Sequence, residues 1–228
     1  MNRSIYVVPI AIAAAGIVLA LSLYIVRVHR LALVPKGSAA QMQPITSADH
    51  IIGKPDAPVI IVEYADIDDQ YSKDFQQVME QLMIDYGPGG KVAWVYRHFP
   101  LINSDENSET HAEAAECAAS VGTPHDFWAF IDAIQSAAPG AAQFDPNDYD
   151  TITTALNIPF DTFNTCLTNH QFADKVAKDG NDALAVGASG SPYSIILVKG
   201  GKPIPVDGAL SYASLKKIVD QAIAQAGS

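Results

Sequence analysis

Pro58-Val-Ile-Ile-Val-Glu-Tyr64, followed by Phe75, Val78, Met79, Leu82, Met83 and Tyr86 at helical spacing, is the stretch on which the fold turns. Val59 to Val62 is continuously apolar, with Pro55 and Pro58 before it and acids after it, which predicts a buried strand. The second set falls at i, i+3, i+4, i+7, i+8 and i+11, a single apolar stripe on a helix. Gly87-Pro88-Gly89-Gly90 stops that helix, and Lys91-Val-Ala-Trp-Val-Tyr-Arg-His-Phe99 supplies another strand. Strand, helix and strand in this order predict two parallel strands joined by a crossover helix.

Reading toward the C-terminus, the pattern becomes helical. One helix is expected from about Ser108, with Thr110-x-x-Glu113 as a capping box, and another opens at Thr123-Pro124 with Phe127, Phe130, Ile131 and Ile134 on one face. After a break at residues 139–146, shorter helices are expected over 149–156, 160–169 and 172–186. Ser194-Ile-Ile-Leu-Val198 then reads as a strand, Gly200-Gly201 as a tight hairpin turn, and residues 203–206 as its partner. Leu215, Ile218, Val219 and Ala222 mark a closing helix. This order predicts an α/β, thioredoxin-like fold over residues 49–226, with an inserted helical subdomain at about 104–186.

Residues 5–26 form an uncharged apolar run of 22 residues, long enough to cross a bilayer as a helix. Arg27, His29, Arg30 and Lys36 follow it, and Ser38-Ala39-Ala40 lies too far on to be a cleavage site, so an uncleaved signal anchor is expected after a short tail of residues 1–4. Residues 27–48 then form a linker. Basic residues flank both ends of the run, and the positive-inside rule taken literally places the C-terminal domain in the cytoplasm; large domains translocate despite such charge, and an extracytoplasmic domain is the expectation adopted here. Residues 37–228 carry 10 basic against 25 acidic side chains, a net charge of −15. That balance sets nucleic-acid binding aside, and the recurrent apolar periodicity sets disorder aside.

Cys117 and Cys166 are the only cysteines. An even count in an oxidising compartment points to a disulfide. Two buried free thiols remain open as a reading, and so does a zinc site using Cys166 and His170 at i, i+4 together with His111 and Cys117. The latter two fall on different faces of a helix, which strains a four-ligand cluster. Neither cysteine belongs to a Cys-x-x-Cys.

His50-Ile-Ile-Gly-Lys-Pro-Asp-Ala-Pro-Val-Ile-Ile-Val-Glu-Tyr64 resembles the lead-in of DsbA-like, membrane-anchored thiol–disulfide oxidoreductases. Tyr96-Arg-His-Phe-Pro-Leu101, Ala114-Ala-Glu-Cys-Ala118 with Phe127-Trp128, and Gly187-Ala-Ser-Gly-Ser-Pro192 resemble further parts of the same family in the same order. The resemblance implies a cis-proline loop at Ser191 and Pro192. It also implies a Cys-Pro-x-Cys at the start of the first helix, where this chain has Asp69, Gln70, Tyr71 and Ser72. Dithiol exchange needs one thiolate to attack and a second to resolve, so these residues exclude it at that position. Asp69 would cap the helix in place of the lost nucleophile. Asp66, Asp68 and Asp69 are hard oxygen donors that could hold a cation, although the EF-hand pattern fails at its glycine and at Gln77; a covalent role for Ser72 lacks an identifiable base. The expectation is a membrane-anchored polypeptide-binding or scaffold module with no metal and no cofactor. A glutathione-binding transferase or isomerase, or residual exchange through Cys117 and Cys166, are the alternatives.

Overall fold

The computed structural model describes residues 37–101, 107–139, 142 and 144–227. The expected anchor, the tail and the first part of the linker lie outside the described residues, as do the first residues of the expected insertion. Among the described residues, no helix is long and apolar enough to cross a membrane.

The sheet has five strands: β1 (His50–Ile52), β2 (Val59–Ala65), β3 (Val92–His98), β4 (Tyr193–Val198) and β5 (Ile204–Asp207), in the spatial order β1-β3-β2-β4-β5. β2 and β3 run parallel through α1 (Gln70–Tyr86), while the β1–β3, β2–β4 and β4–β5 pairs are antiparallel. Between β3 and β4 come α2 (Ser108–Val121), α3 (Pro124–Ala137), α4 (Tyr149–Ala155), α5 (Phe160–Thr168) and α6 (Ala173–Val186), and α7 (Tyr212–Ala226) closes the chain. The α/β thioredoxin-like architecture with a helical insertion is therefore present.

Alternation along β2 divides the core. Val59 and Ile61 face α1 and α7, against Phe75, Met79, Leu82, Leu215 and Val219; Val62 and Tyr64 face α6, against Ala183 and Val186. The first of these layers continues into the insertion through Phe127, Phe130, Tyr149 and Phe163, so sheet and insertion share one core. Inside that core Cys117 of α2 is disulfide-bonded to Cys166 of α5. Both cysteines are buried, and the bond removes the zinc and free-thiol readings.

The second layer is held by Arg97. Its guanidinium is paired with Asp49 at 2.8 Å and Asp182 at 2.5 Å, and it donates to the carbonyls of Gln43 and Pro44. Tyr64 Oη also donates to Asp182, at 2.6 Å. The described part of the linker is thereby packed onto the domain. At Gly37 a Cβ would stand 2.1 Å from the amide nitrogen of Gly187, so only glycine permits that approach. Ser38 N–H donates to Ala185 across the same contact.

Three local features differ from the sequence reading. β1 is a strand, pairing His50, Ile51 and Ile52 with Tyr96, Val95 and Trp94, although three residues carry too little periodicity to identify it. α2 has Asn107 rather than Thr110 as its N-cap residue, with no side-chain cap. Ser108 thus stands at the first helical position with its hydroxyl bonded to Asp66. The β4–β5 connection is longer than a two-residue turn, running from Val198 to Ile204, with Gly200 at φ +74°.

Reducing the Cys117–Cys166 bond, or replacing both residues by alanine, should lower unfolding stability by roughly 2–4 kcal/mol in urea titration. A denatured, unreduced sample should take up no thiol-alkylating mass tag, and two after reduction.

Candidate functional site

The site is built where β2 ends. From Ala65 the chain turns through Asp66, Ile67 and Asp68 into Asp69, whose extended backbone (φ −69°, ψ 128°) and carboxylate cap α1. Asp69 Oδ2 accepts from the Ser72 amide at 2.8 Å, satisfying one of the free N–H groups at the helix start. Gln70 donates to Asp74 one turn on. Tyr71 is 66% exposed, while Ser72 beside it is buried.

Ser72 faces the loop from α6 to β4. The Ser191–Pro192 peptide bond is cis, and Ser72 Oγ lies 2.6 Å from Ser191 Oγ. Ser191 Oγ also accepts from the Asp66 amide at 2.8 Å. Pro192 C=O is taken by the Gly208 amide. Among the described residues, the backbone N–H and C=O of Ser191 make no hydrogen bond. Asp69, Ser72, Ser191 and Pro192 are thus brought together, whereas Cys117 and Cys166 take no part in this hydrogen-bond network.

The neighbouring acids do not converge on a common point. Asp66 accepts from the Asp68 amide at 2.9 Å, the Leu101 amide at 2.7 Å and Ser108 Oγ at 3.1 Å. Burial, with the charge of Asp68 as a lesser contribution, holds its carboxyl above the usual carboxylate range. Asp68 pairs with His111 Nδ1 at 2.7 Å, and Asp69 caps α1. Among the described residues, no group of three or more histidines, cysteines and acids is arranged to hold a metal ion.

Beneath α1 lies Glu63 of β2, buried beside Trp94, with no well-formed hydrogen bond to either carboxyl oxygen among the described residues. Burial pushes its carboxyl up to about 8. Sequence reasoning passed over Glu63 because it sat inside an otherwise apolar strand. It also missed the pairing of Asp68 with His111 and the hub at Glu116, which binds His50, His98 and Lys175 at 2.9–3.0 Å. The one available signal was the presence of His111, Glu113 and Glu116 on an otherwise alanine-rich helix. Lys73 is buried as well, its Nζ donating to the carbonyls of Ala138 and Ala142 and so tying α1 to the end of α3.

A cis-proline loop facing a capped helix start, on a β-α-β unit followed by a hairpin and a closing helix, defines a thioredoxin-fold protein. A family model described as Thioredoxin matches residues 46–221. The chain belongs to the thioredoxin-fold, DsbA-like oxidoreductase family. Among its relatives is a probable disulfide bond formation protein D of Bacillus anthracis, 28% identical over 77% of this chain and 78% of that protein. The Na(+)/H(+) antiporter NhaA 3 of Salinispora tropica is 31% identical over 63% of this chain, which spans about a fifth (21%) of that protein's length. Among solved structures, BdbD of Bacillus subtilis superposes with a TM-score of 0.68 at 21% identity, covering 80% of this chain and 96% of BdbD. Wolbachia pipientis α-DsbA1 gives 0.68 at 22% identity, covering 83% and 97%.

Two substitutions test the site's construction. Asp66→Ala leaves three donors without their acceptor and should cost about 2–4 kcal/mol in urea titration, with Asp66→Asn recovering part of it. Glu63 binds its proton more tightly folded than unfolded, so its contribution is complete below about pH 4.5 and is lost as pH rises toward 8. Urea midpoints should therefore fall for the wild type between pH 5 and 8. Glu63→Gln should be the more stable protein at pH 8, by on the order of 3–4 kcal/mol, with a flatter profile.

Proposed function

We propose that this chain is a membrane-anchored, extracytoplasmic member of its family that binds polypeptide and has given up dithiol exchange. The observation that carries this reading is the pair Asp69 and Ser72 at the start of α1, with Ser72 bonded to Ser191 instead of to a second sulfur. A carboxylate and a hydroxyl cannot form or resolve a disulfide. A place for an extended chain is supported by the half-buried Ser191, whose backbone groups make no hydrogen bond among the described residues, and by the exposed ring of Tyr71 beside Ser72.

Residual exchange through Cys117 and Cys166 is disfavoured by their burial, 0% and 3% exposed, in a core shared by α2 and α5. The extracytoplasmic location is supported by the apolar run at residues 5–26 and by the disulfide, which an oxidising compartment maintains. The likeness to part of an antiporter is consistent with a place at the membrane.

The wild-type protein should neither reduce insulin nor promote oxidative refolding. Asp69→Cys with Ser72→Cys should create a disulfide within one turn of α1, and the first introduced thiol should have a lowered pKa because the helix N-terminus favours its thiolate. A photo-crosslinking residue at position 71 should capture extracytoplasmic polypeptides in intact membranes. Exchange activity in the unmodified protein would defeat the proposal, as would crosslinks confined to lipid.

A further inference from the structure

β1 is the outermost strand of the sheet, and among the described residues no further strand pairs with its outer edge. Among the described residues, the backbone groups of His50, Ile51 and Ile52 pair with β3 and with nothing else. Such an edge is a template for another strand. Here it is flanked by two cavities. One, of about 390 Å³, opens beside His50 and is lined by the apolar Ala48, Phe172 and Trp128 and by the polar Ser47, Asp49 and Glu116, among others; Asp49 and Glu116 are already paired with Arg97 and with His50, His98 and Lys175. The other, of about 510 Å³, opens beside Ile52 and is lined by Trp94, Trp128, Glu80 and Asp132 among others. Ile51, Pro124 and Trp128 border both cavities, so Trp128 is a wall common to the two. His50 and Ile52 stand two residues apart and face the same side of the sheet, as alternate side chains on a strand do, and each borders one of the two cavities.

Charge selects the occupant. Glu80 and Asp132 are both exposed at the Trp94 cavity, and neither forms an ion pair among the described residues. Asp132 accepts from Gln76 Nε2 at 2.5 Å, and its carboxyl is pushed up to about 6, by desolvation first and then by the charge of Glu80, against the opposing effects of the Gln76 hydrogen bond and of His125, which lines the same cavity. A cation entering the cavity would relieve that repulsion while its alkyl stem covers the indole of Trp128. A second copy of this chain is a poor fit, because each domain carries a net charge of −15.

We propose that the open edge of β1 takes an extended segment of a basic polypeptide as an added strand. A lysine or arginine of that segment occupies the Trp94–Trp128 cavity, and an apolar side chain two residues along occupies the cavity beside His50. This surface stands apart from the cis-proline loop and does not rest on the function proposed above.

Trp94 and Trp128 are the only tryptophans in the chain and line the same cavity, so their emission reports directly on its occupancy. The full-length protein in detergent micelles is titrated with a capped, threonine-rich peptide carrying one lysine and one valine two positions apart. Saturable change in tryptophan emission is expected. Replacing the peptide's lysine with glutamate should weaken binding at least tenfold, and so should N-methylation of one of its two alternating sets of amides. The variant Glu80→Gln, Asp132→Asn removes the two charges and, by relieving their repulsion, should melt no lower than the wild type; it should lose at least tenfold in affinity for the lysine peptide. The proposal is overturned by the absence of saturable change, or by equal binding of the lysine and glutamate peptides. Indifference to N-methylation at both sets, or wild-type affinity in the double variant, overturns it too.

Discussion

The carboxylate of Asp66 is the joint on which the site depends. It receives the amide of Asp68 in its own loop, the amide of Leu101 beyond β3, and the hydroxyl of Ser108 at the start of α2, while its own amide donates to Ser191. Four separate parts of the chain meet at one residue. A buried carboxyl is costly unless its lone pairs are used, and here three donors use them. The consequence is geometric: the turn into α1, the entry to the insertion and the cis-proline loop are positioned by one another. Asp69 and Ser72 inherit that arrangement.

The insertion is coupled to the sheet by polar groups as well as by the aromatic core. Asp68 meets His111 on α2, Glu116 on the same helix gathers His50, His98 and Lys175, and Lys73 on α1 holds the end of α3. Each contact joins elements far apart in sequence. Ionised Glu116, held well below the usual carboxylate range despite its burial, depends on hydrogen bonds from both histidines and on the charge of Lys175, while burial lowers the pKa of His98. Breaking such a buried cluster from one side leaves an uncompensated charge, which costs more than the intact pairing contributes.

Period and punctuation made much of this legible in the sequence. The apolar run from Val59, the stripe from Phe75 to Tyr86 and the glycine stop at Gly87 led directly to β2, α1 and their parallel crossover. The place of Asp69 and Ser72 at the start of α1 was legible only through family resemblance, since nothing local singles out this aspartate and serine from others in the chain. β1 was hidden because three residues cannot display an alternation. The Thr110–Glu113 pattern misled because tertiary contact decided that end: Ser108 is drawn to Asp66, and Glu113 is turned inward beside His170. The partnership of Asp68 with His111 spans 43 positions, and no local rule reaches that far.

The Arg97 clamp has a mechanical meaning. A slack connector absorbs tension by straightening, and little of it reaches the domain it leads to. Here the chain is locked against α6 at Gly37 and again at Gln43 and Pro44, where a guanidinium from an interior strand grips its carbonyls. Force applied at Gly37 would therefore be carried into β3 and α6 together, through short polar contacts that shear as a set. On these contacts the segment would act as a strut rather than a string, passing load to the sheet.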